Sequence, residues 1–142
     1  MIKLVYCVRK RKDMSQAAFS RYWLERHGPL VRSLAEALGA RRYVQSHTIE
    51  PEMNDALLKS RGLSEPYDGI TELWWDDIER YKATAHSPAA REARRALLED
   101  EANFIDFAQS RIFLTQEHMI FDLPAEHQRP GSVDHGGETS CT

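Results

Sequence analysis

The chain opens with IKLVYCVR (residues 2–9), an apolar, β-branched run that reads as a strand. The period then changes. After Ser15, which can cap a helix, apolar side chains fall at Phe19, Tyr22 and Trp23, the spacing of one helical face. His27 follows four residues after Trp23 and eight after Phe19, so at about 100° per residue the imidazole ends that buried stripe. Gly28 and Pro29 are stop and restart signals: they predict that the first helix ends at His27. A second helix over 29–38 carries Leu30, Leu34 and Leu38 on one side and ends at Gly39. RRYVQSHTI (41–49) reads as strand two, and the polar, turn-rich stretch 51–66 as a long connection with one helical turn of its own. GITELWW (69–75) is strand three. Asp76 or Asp77 caps a helix through Tyr81, and Ser87-Pro88 restarts it as far as about Asp100. RIFLTQEHMIFD (111–122) is the last strand. From Leu123 onward proline, glycine and polar residues dominate without periodicity.

The order β-α-β-β-α-β is that of the ferredoxin-like split unit: an α+β fold with a four-stranded antiparallel sheet and its helices on one face. The other face is not polar enough to be left bare. In the last strand Ile112, Leu114 and Ile120 alternate with Phe113, Met119 and Phe121, and Trp74 and Trp75 point to opposite sides of the third. A second copy of the same sheet is the simplest cover, which predicts a homodimeric α+β barrel.

Composition narrows the partners. A chain of 142 residues with 42% apolar content makes one domain with its own core, here 1–122, followed by a flexible tail over 123–142. The 19 basic and 22 acidic residues are mixed along the chain and leave a net charge of −3, so no footprint for nucleic acid or an anionic membrane is present. Two cysteines, Cys7 and Cys141, no secretory signal and no membrane-length apolar run point to a reduced, cytoplasmic protein whose partners are small molecules or protein. The six histidines and two cysteines lack the clustered spacing of a metal site, and no glycine-rich phosphate loop occurs, so neither metal nor cofactor is expected.

Among titratable groups placed near buried surface His27 stands first, because a neutral imidazole accepts or donates a proton without a large pKa shift. Its bland alternative is structural, a hydrogen bond at the helix break. Strand two puts Tyr43, Gln45 and His47 on one face, and His118 shares a face with Leu114, Gln116 and Ile120 in the last strand. Either histidine can pair with His27, or simply satisfy an interface. Tyr6, Trp23, Tyr43, Trp74 and Trp75 together can wall a flat apolar ligand. Asp106, in NFIDF, is the carboxylate held among aromatics. The run EARRALLEDE (92–101) reads as a solvated helix face.

Three stretches carry a family resemblance: MIKLVYCVRKRKDMSQAAFSRYWLERHGPLVRSL, YDGITELWWDD and DEANFIDFAQSRIFLTQEHMIFD resemble the EthD domain family over about residues 1–122. The HGPL turn, the tryptophan-rich third strand and the final QEH occur together and in the family's order. The resemblance implies the ferredoxin-like dimeric barrel and kinship with cofactor-free small-molecule enzymes that work in a pocket between sheet and helices. Members are associated with breakdown of an ether fuel additive alongside a cytochrome P450 system, and fungal relatives are assigned as decarboxylases or dehydratases of aromatic polyketides. With the residues above, the expectation is a cofactor-independent lyase acting by proton transfer on a small apolar cyclic or aromatic compound. His27 would shuttle the proton, and His47 or His118 would orient the substrate or stabilise charge. The alternatives are a cofactor-free oxygenase on the same kind of substrate and a non-catalytic accessory to a cytochrome P450 system; oxygen consumption marks the first, tight binding without turnover the second. The tail generates a test of its own: truncation after Asp122 should leave the melting temperature nearly unchanged, whereas a fall of more than about 5 °C would mean that the tail packs on the domain.

Overall fold

In a computed structural model, residues 1–126 are described. Four strands, β1 (Ile2–Val8), β2 (Arg42–His47), β3 (Gly69–Trp75) and β4 (Arg111–Gln116), form one sheet in the order β2-β3-β1-β4, antiparallel throughout. The predicted α+β, ferredoxin-like topology is therefore present. Pleating sorts the side chains: Leu4, Tyr6, Val8, Tyr43, Leu73 and Trp75 face the helices and build the core with them. The same alternation puts Lys3, Val5, Arg42, Trp74 and Phe113 on the open face.

Phe19 and Trp23 are buried as the stripe requires, and Ser15 caps α1 (Gln16–Tyr22) by accepting from the Ala18 amide at 3.1 Å. The predicted stop at His27 does not occur. The chain stays helical through one π turn, Trp23–His27, and runs on into α2 (Gly28–Ser33). Pro29 has no N–H to give to the carbonyl four residues back, and its ring crowds that carbonyl; widening the turn, with the Gly28 amide bonded to the Trp23 carbonyl five residues back, accommodates it without unwinding the helix. The break falls later, at Leu34, before the short α3 (Ala35–Leu38) and the left-handed Gly39.

The 51–66 connection also differs. It holds α4 (Pro51–Arg61), three turns long, with no buried residue and with Met53 and Leu57 exposed. Asp77 and Ser87 cap α5 (Ile78–Ala85) and α6 (Pro88–Glu101) as predicted. β4 stops at Gln116, short of the expected 122, because its partner runs out: Ile2 pairs with Gln116, and the last link is the Glu117 amide to the Met1 carbonyl at 3.3 Å. Met119, Ile120 and Phe121, left without a neighbouring strand, are more than 70% exposed. Of the expected tail, 123–126 adopts neither helix nor strand and 127–142 lies outside the described residues. No helix among the described residues is long and apolar enough to cross a membrane.

One close approach sets how deeply the helices sit on the sheet. A Cβ at Gly69 would lie 2.6 Å from Trp23 Cη2 and 2.7 Å from the Ser46 carbonyl oxygen, so the indole rests against bare backbone. Gly69→Ala must displace either Trp23 or β2. We expect it to cost roughly 1–3 kcal/mol by denaturant unfolding, with a matching loss in near-ultraviolet dichroism of the tryptophans; a neutral substitution would show that the contact is loose.

Candidate functional site

Between the sheet and the helices lies a pocket of about 390 Å³, walled by Leu4, Tyr6, Trp23, Tyr43, Leu73, Trp75, Tyr81 and Leu97. His27, Thr71, Arg94 and Glu101 supply its polar groups. This is the size and make-up of a small-ligand site, mostly apolar with a few convergent polar atoms.

His27 is 6% exposed and lies beside the Phe104 ring, their centroids 5.0 Å apart. Its Nδ1 is 2.8 Å from Oδ2 of Asp100 on the last turn of α6. The other oxygen of that carboxylate accepts from the Tyr22 hydroxyl at 2.5 Å, and Asn103 Nδ2 donates to the same hydroxyl at 3.1 Å. A carboxylate so placed assigns the hydrogen to Nδ1 and leaves Nε2 as the basic nitrogen, with no protein partner among the described residues. Burial raises the Asp100 carboxyl, but the hydrogen bonds from Tyr22 and His27 outweigh it and hold the group below its ordinary range. For His27 burial dominates and lowers the imidazole, with the Asp100 bond and charge pulling the other way, so the ring is neutral at pH 7.

Glu101, the next residue, has the opposite environment. Burial first, and the Asp100 charge second, push its carboxyl up to about 7. Its backbone carbonyl accepts from the Phe104 and Ile105 amides, whereas its carboxyl, on the pocket wall, has neither a hydrogen bond nor an ion pair among the described residues. Its charge in turn reinforces the effect of burial on Tyr6 and Tyr43, both of which are raised. The pocket thus holds a neutral imidazole backed by a carboxylate and, one residue along α6, a carboxyl that titrates near neutrality.

Of the residues expected from the sequence, His27, Tyr6, Trp23, Tyr43 and Trp75 line this pocket together. His47 does not join them. Its ring stacks on Trp23, with centroids 4.3 Å apart, and its Nε2–H donates to Gln45 Oε1 at 2.9 Å. Gln45 passes the constraint on, donating to the Trp23 carbonyl at 2.8 Å and to the Tyr43 hydroxyl at 2.9 Å. His118 lies beyond the end of β4, exposed and not among the residues that line the pocket with His27, the imidazole it was expected to pair with. Trp74 is on the open face, where Lys3 and Arg42 lie over its ring and Nε1 donates to Glu117 at 2.8 Å. Asp106 begins the 3₁₀ turn Phe107–Gln109, its amide bonded to the Arg9 carbonyl at 2.9 Å, and it borders a separate polar cleft with Arg9 and Lys10.

The reading of 92–101 as a solvated face is overturned. Ala90, Ala93 and Leu97 of α6 pack inward, and Asp100 and Glu101 are three and four residues beyond Leu97, on the same stripe. That phase was available in the sequence; the charged letters around it hid it. Among the described residues no three His, Cys, Asp or Glu side chains are grouped as metal ligands would be.

Comparison with known proteins agrees with this geometry. A family model described as the EthD domain matches residues 11–108. An ethyl tert-butyl ether D (EthD) family protein from Bacillus halodurans is 18% identical, with a TM-score of 0.57 over 83% of this chain and 99% of that one. An EthD-like protein from Ralstonia eutropha is 14% identical, with a TM-score of 0.54 over 81% and 89%. A dimeric ferredoxin-like protein of unknown function from Thermobifida fusca is 14% identical, with a TM-score of 0.50 over 80% and 88%. At such identities these structures share the fold alone, and no curated protein sequence matches the chain. The family match, however, spans more than half of the 142 residues and includes the helix that carries His27 and the helix that carries Asp100 and Glu101: the chain belongs to the EthD domain family.

Proposed function

We propose that this chain is a lyase that works by proton transfer, without a cofactor, on a small apolar cyclic or aromatic carbonyl compound. The observation that carries the reading is the pairing, in one apolar pocket, of His27 held by Asp100 with Glu101 held near neutrality. Two groups whose environments push their pKa values toward opposite tasks are an acid and a base. His27 Nε2 takes the proton from a carbon next to the substrate carbonyl, and Asp100 stabilises the imidazolium that forms. In a dehydration, protonated Glu101 gives its proton to the departing hydroxyl, which leaves as water while the C–H electron pair becomes the new double bond. In a decarboxylation the same carboxyl protonates the carbanion left by carbon dioxide. The aromatic walls keep the exchange dry.

The open sheet face and the exposed Met119–Phe121 stretch favour a homodimer, as expected from the sequence. Light scattering at micromolar concentration should give twice 16.4 kDa; a clean monomer would remove the barrel from the proposal.

Proton abstraction can be tested before the substrate is known. In deuterated water the protein should exchange the acidic hydrogens of a bicyclic ketone such as 2-tetralone faster than buffer does, and His27→Asn should lower that rate by about 10²–10⁴. No exchange above buffer with any of a panel of such ketones would overturn the reading. For the complete reaction the rate should fall at low pH as His27 protonates and at high pH as Glu101 ionises near 7, and Glu101→Gln should lower the rate throughout by about 10²–10⁴, with the alkaline limb lost from what activity remains.

Glu101 also makes a prediction that needs no substrate. Its pKa is about 7 in the folded chain against 4.5 in a model peptide, so between those values the folded state holds a proton that the unfolded state has released, and stability falls as pH rises. Glu101→Gln should therefore stabilise the protein at about pH 8 by on the order of 1–3 kcal/mol and not at about pH 4. An equal effect at both pH values would mean that Glu101 is solvated.

A further inference from the structure

Arg94 is the charged pocket residue for which the proton-transfer reading has no use. It lies on the wall formed by α6, with Leu97 and Leu98 one turn further along. The guanidinium is over the Tyr81 ring, 5.6 Å from its centroid, and donates once, from Nη1 to the Ala85 carbonyl at 3.2 Å. No carboxylate lies within ion-pair distance of it among the described residues, whereas its neighbour Arg95 has Glu92 at 4.0 Å. A guanidinium carries five N–H donors, and with protein engaging one of them among the described residues the others remain for water or for an anion in the pocket. Glu101 does not serve as that anion. It is seven residues on, two turns and about 10.5 Å along the helix axis, and what acts on it is burial and Asp100.

We propose that Arg94 is the anion-binding end of the pocket and that its ligand is a flat apolar acid, carboxylate on Arg94 and ring system against the aromatic walls. The proposal rests on the lyase reading for the opposite end, where His27 and Glu101 meet the reacting carbon. It adds an orientation: the acid group is held two helical turns from the proton-transfer pair, so the spectator anion and the reacting centre sit at opposite ends of a fused-ring skeleton. The planar fork of arginine suits a carboxylate held by two parallel hydrogen bonds.

The test compares 2-naphthoate with its uncharged methyl ester by titration calorimetry on the full chain. The acid should bind at least about tenfold more tightly than the ester. Arg94→Gln should remove that preference while leaving ester affinity unchanged, and Arg94→Lys, which keeps the charge without the fork, should retain part of it. Naphthoate binding that is unaffected by Arg94→Gln, or an ester that binds as tightly as the acid, would overturn the assignment while leaving the proton-transfer pair intact. If Arg94→Gln fails to fold, Arg94→Lys decides, since undiminished preference there is compatible only with a point-charge contact and refutes the fork. Failure of both compounds to bind the unmodified protein would overturn the assignment of a flat apolar acid as the ligand, and the exchange of ketone hydrogens in deuterated water decides the lyase reading separately.

Discussion

Trp23 seated on the bare backbone of Gly69 is the contact on which the helical layer depends. Its indole occupies the space a side chain on β3 would fill, and its carbonyl takes two donors, the Gly28 amide across the π turn and the Gln45 amide from β2. The helix is thereby fixed to two strands at one point, in depth by the glycine and in rotation by the shared carbonyl. The π turn needed to admit Pro29 falls on this anchor, so the imidazole of His27, which closes the turn, comes out at the pocket wall. His47 belongs to the same anchor: it holds Gln45 and stacks on Trp23, a positioning role different from the substrate contact its sequence position suggested.

The electrostatics of the pocket follow from two adjacent residues at the end of α6. A helix C-terminus disfavours negative charge, so neither Asp100 nor Glu101 gains from its place on the helix. Asp100 is compensated by donors from another element, Tyr22 and His27, and stays ionised. Glu101 faces apolar walls with an anion next to it, and is held near neutrality. One turn of helix therefore supplies both the carboxylate bonded to the His27 imidazole and a carboxyl that titrates near neutrality. The distinction rests wholly on which side of the helix each carboxyl leaves.

The sheet shows the same dependence on neighbours. β4 ends where β1 ends, although the sequence keeps its alternation as far as Phe121, because a strand persists only where a partner accepts its hydrogen bonds. Apolar side chains beyond Gln116 are consequently left in solvent in the single chain, as are Met53 and Leu57 of α4. Trp74 avoids that exposure by a local device: Lys3, Arg42 and Glu117 cover its ring and nitrogen, leaving it only 5% exposed without any helix above it.

The residue pattern was sufficient for the order of the four strands, the antiparallel ferredoxin-like sheet, the caps at Ser15 and Ser87, and the burial of Phe19, Trp23 and His27 on one stripe, but not for α4 or the break at Leu34. It also collected Tyr6, Trp23, Tyr43 and Trp75, which line the pocket, together with Trp74 and Asp106, which do not. Tertiary structure alone decided which titratable groups meet. His27 and Asp100 are 73 residues apart, and nothing in the spacing of either tells which of six histidines the acidic end of α6 will reach. Likewise the charge pattern of 92–101 describes a solvated helix until the sheet lies under it. Whether a glutamate is a surface charge or a proton donor near neutrality is settled by the water it loses to packing, and that loss is a property of the assembled layers rather than of the helix.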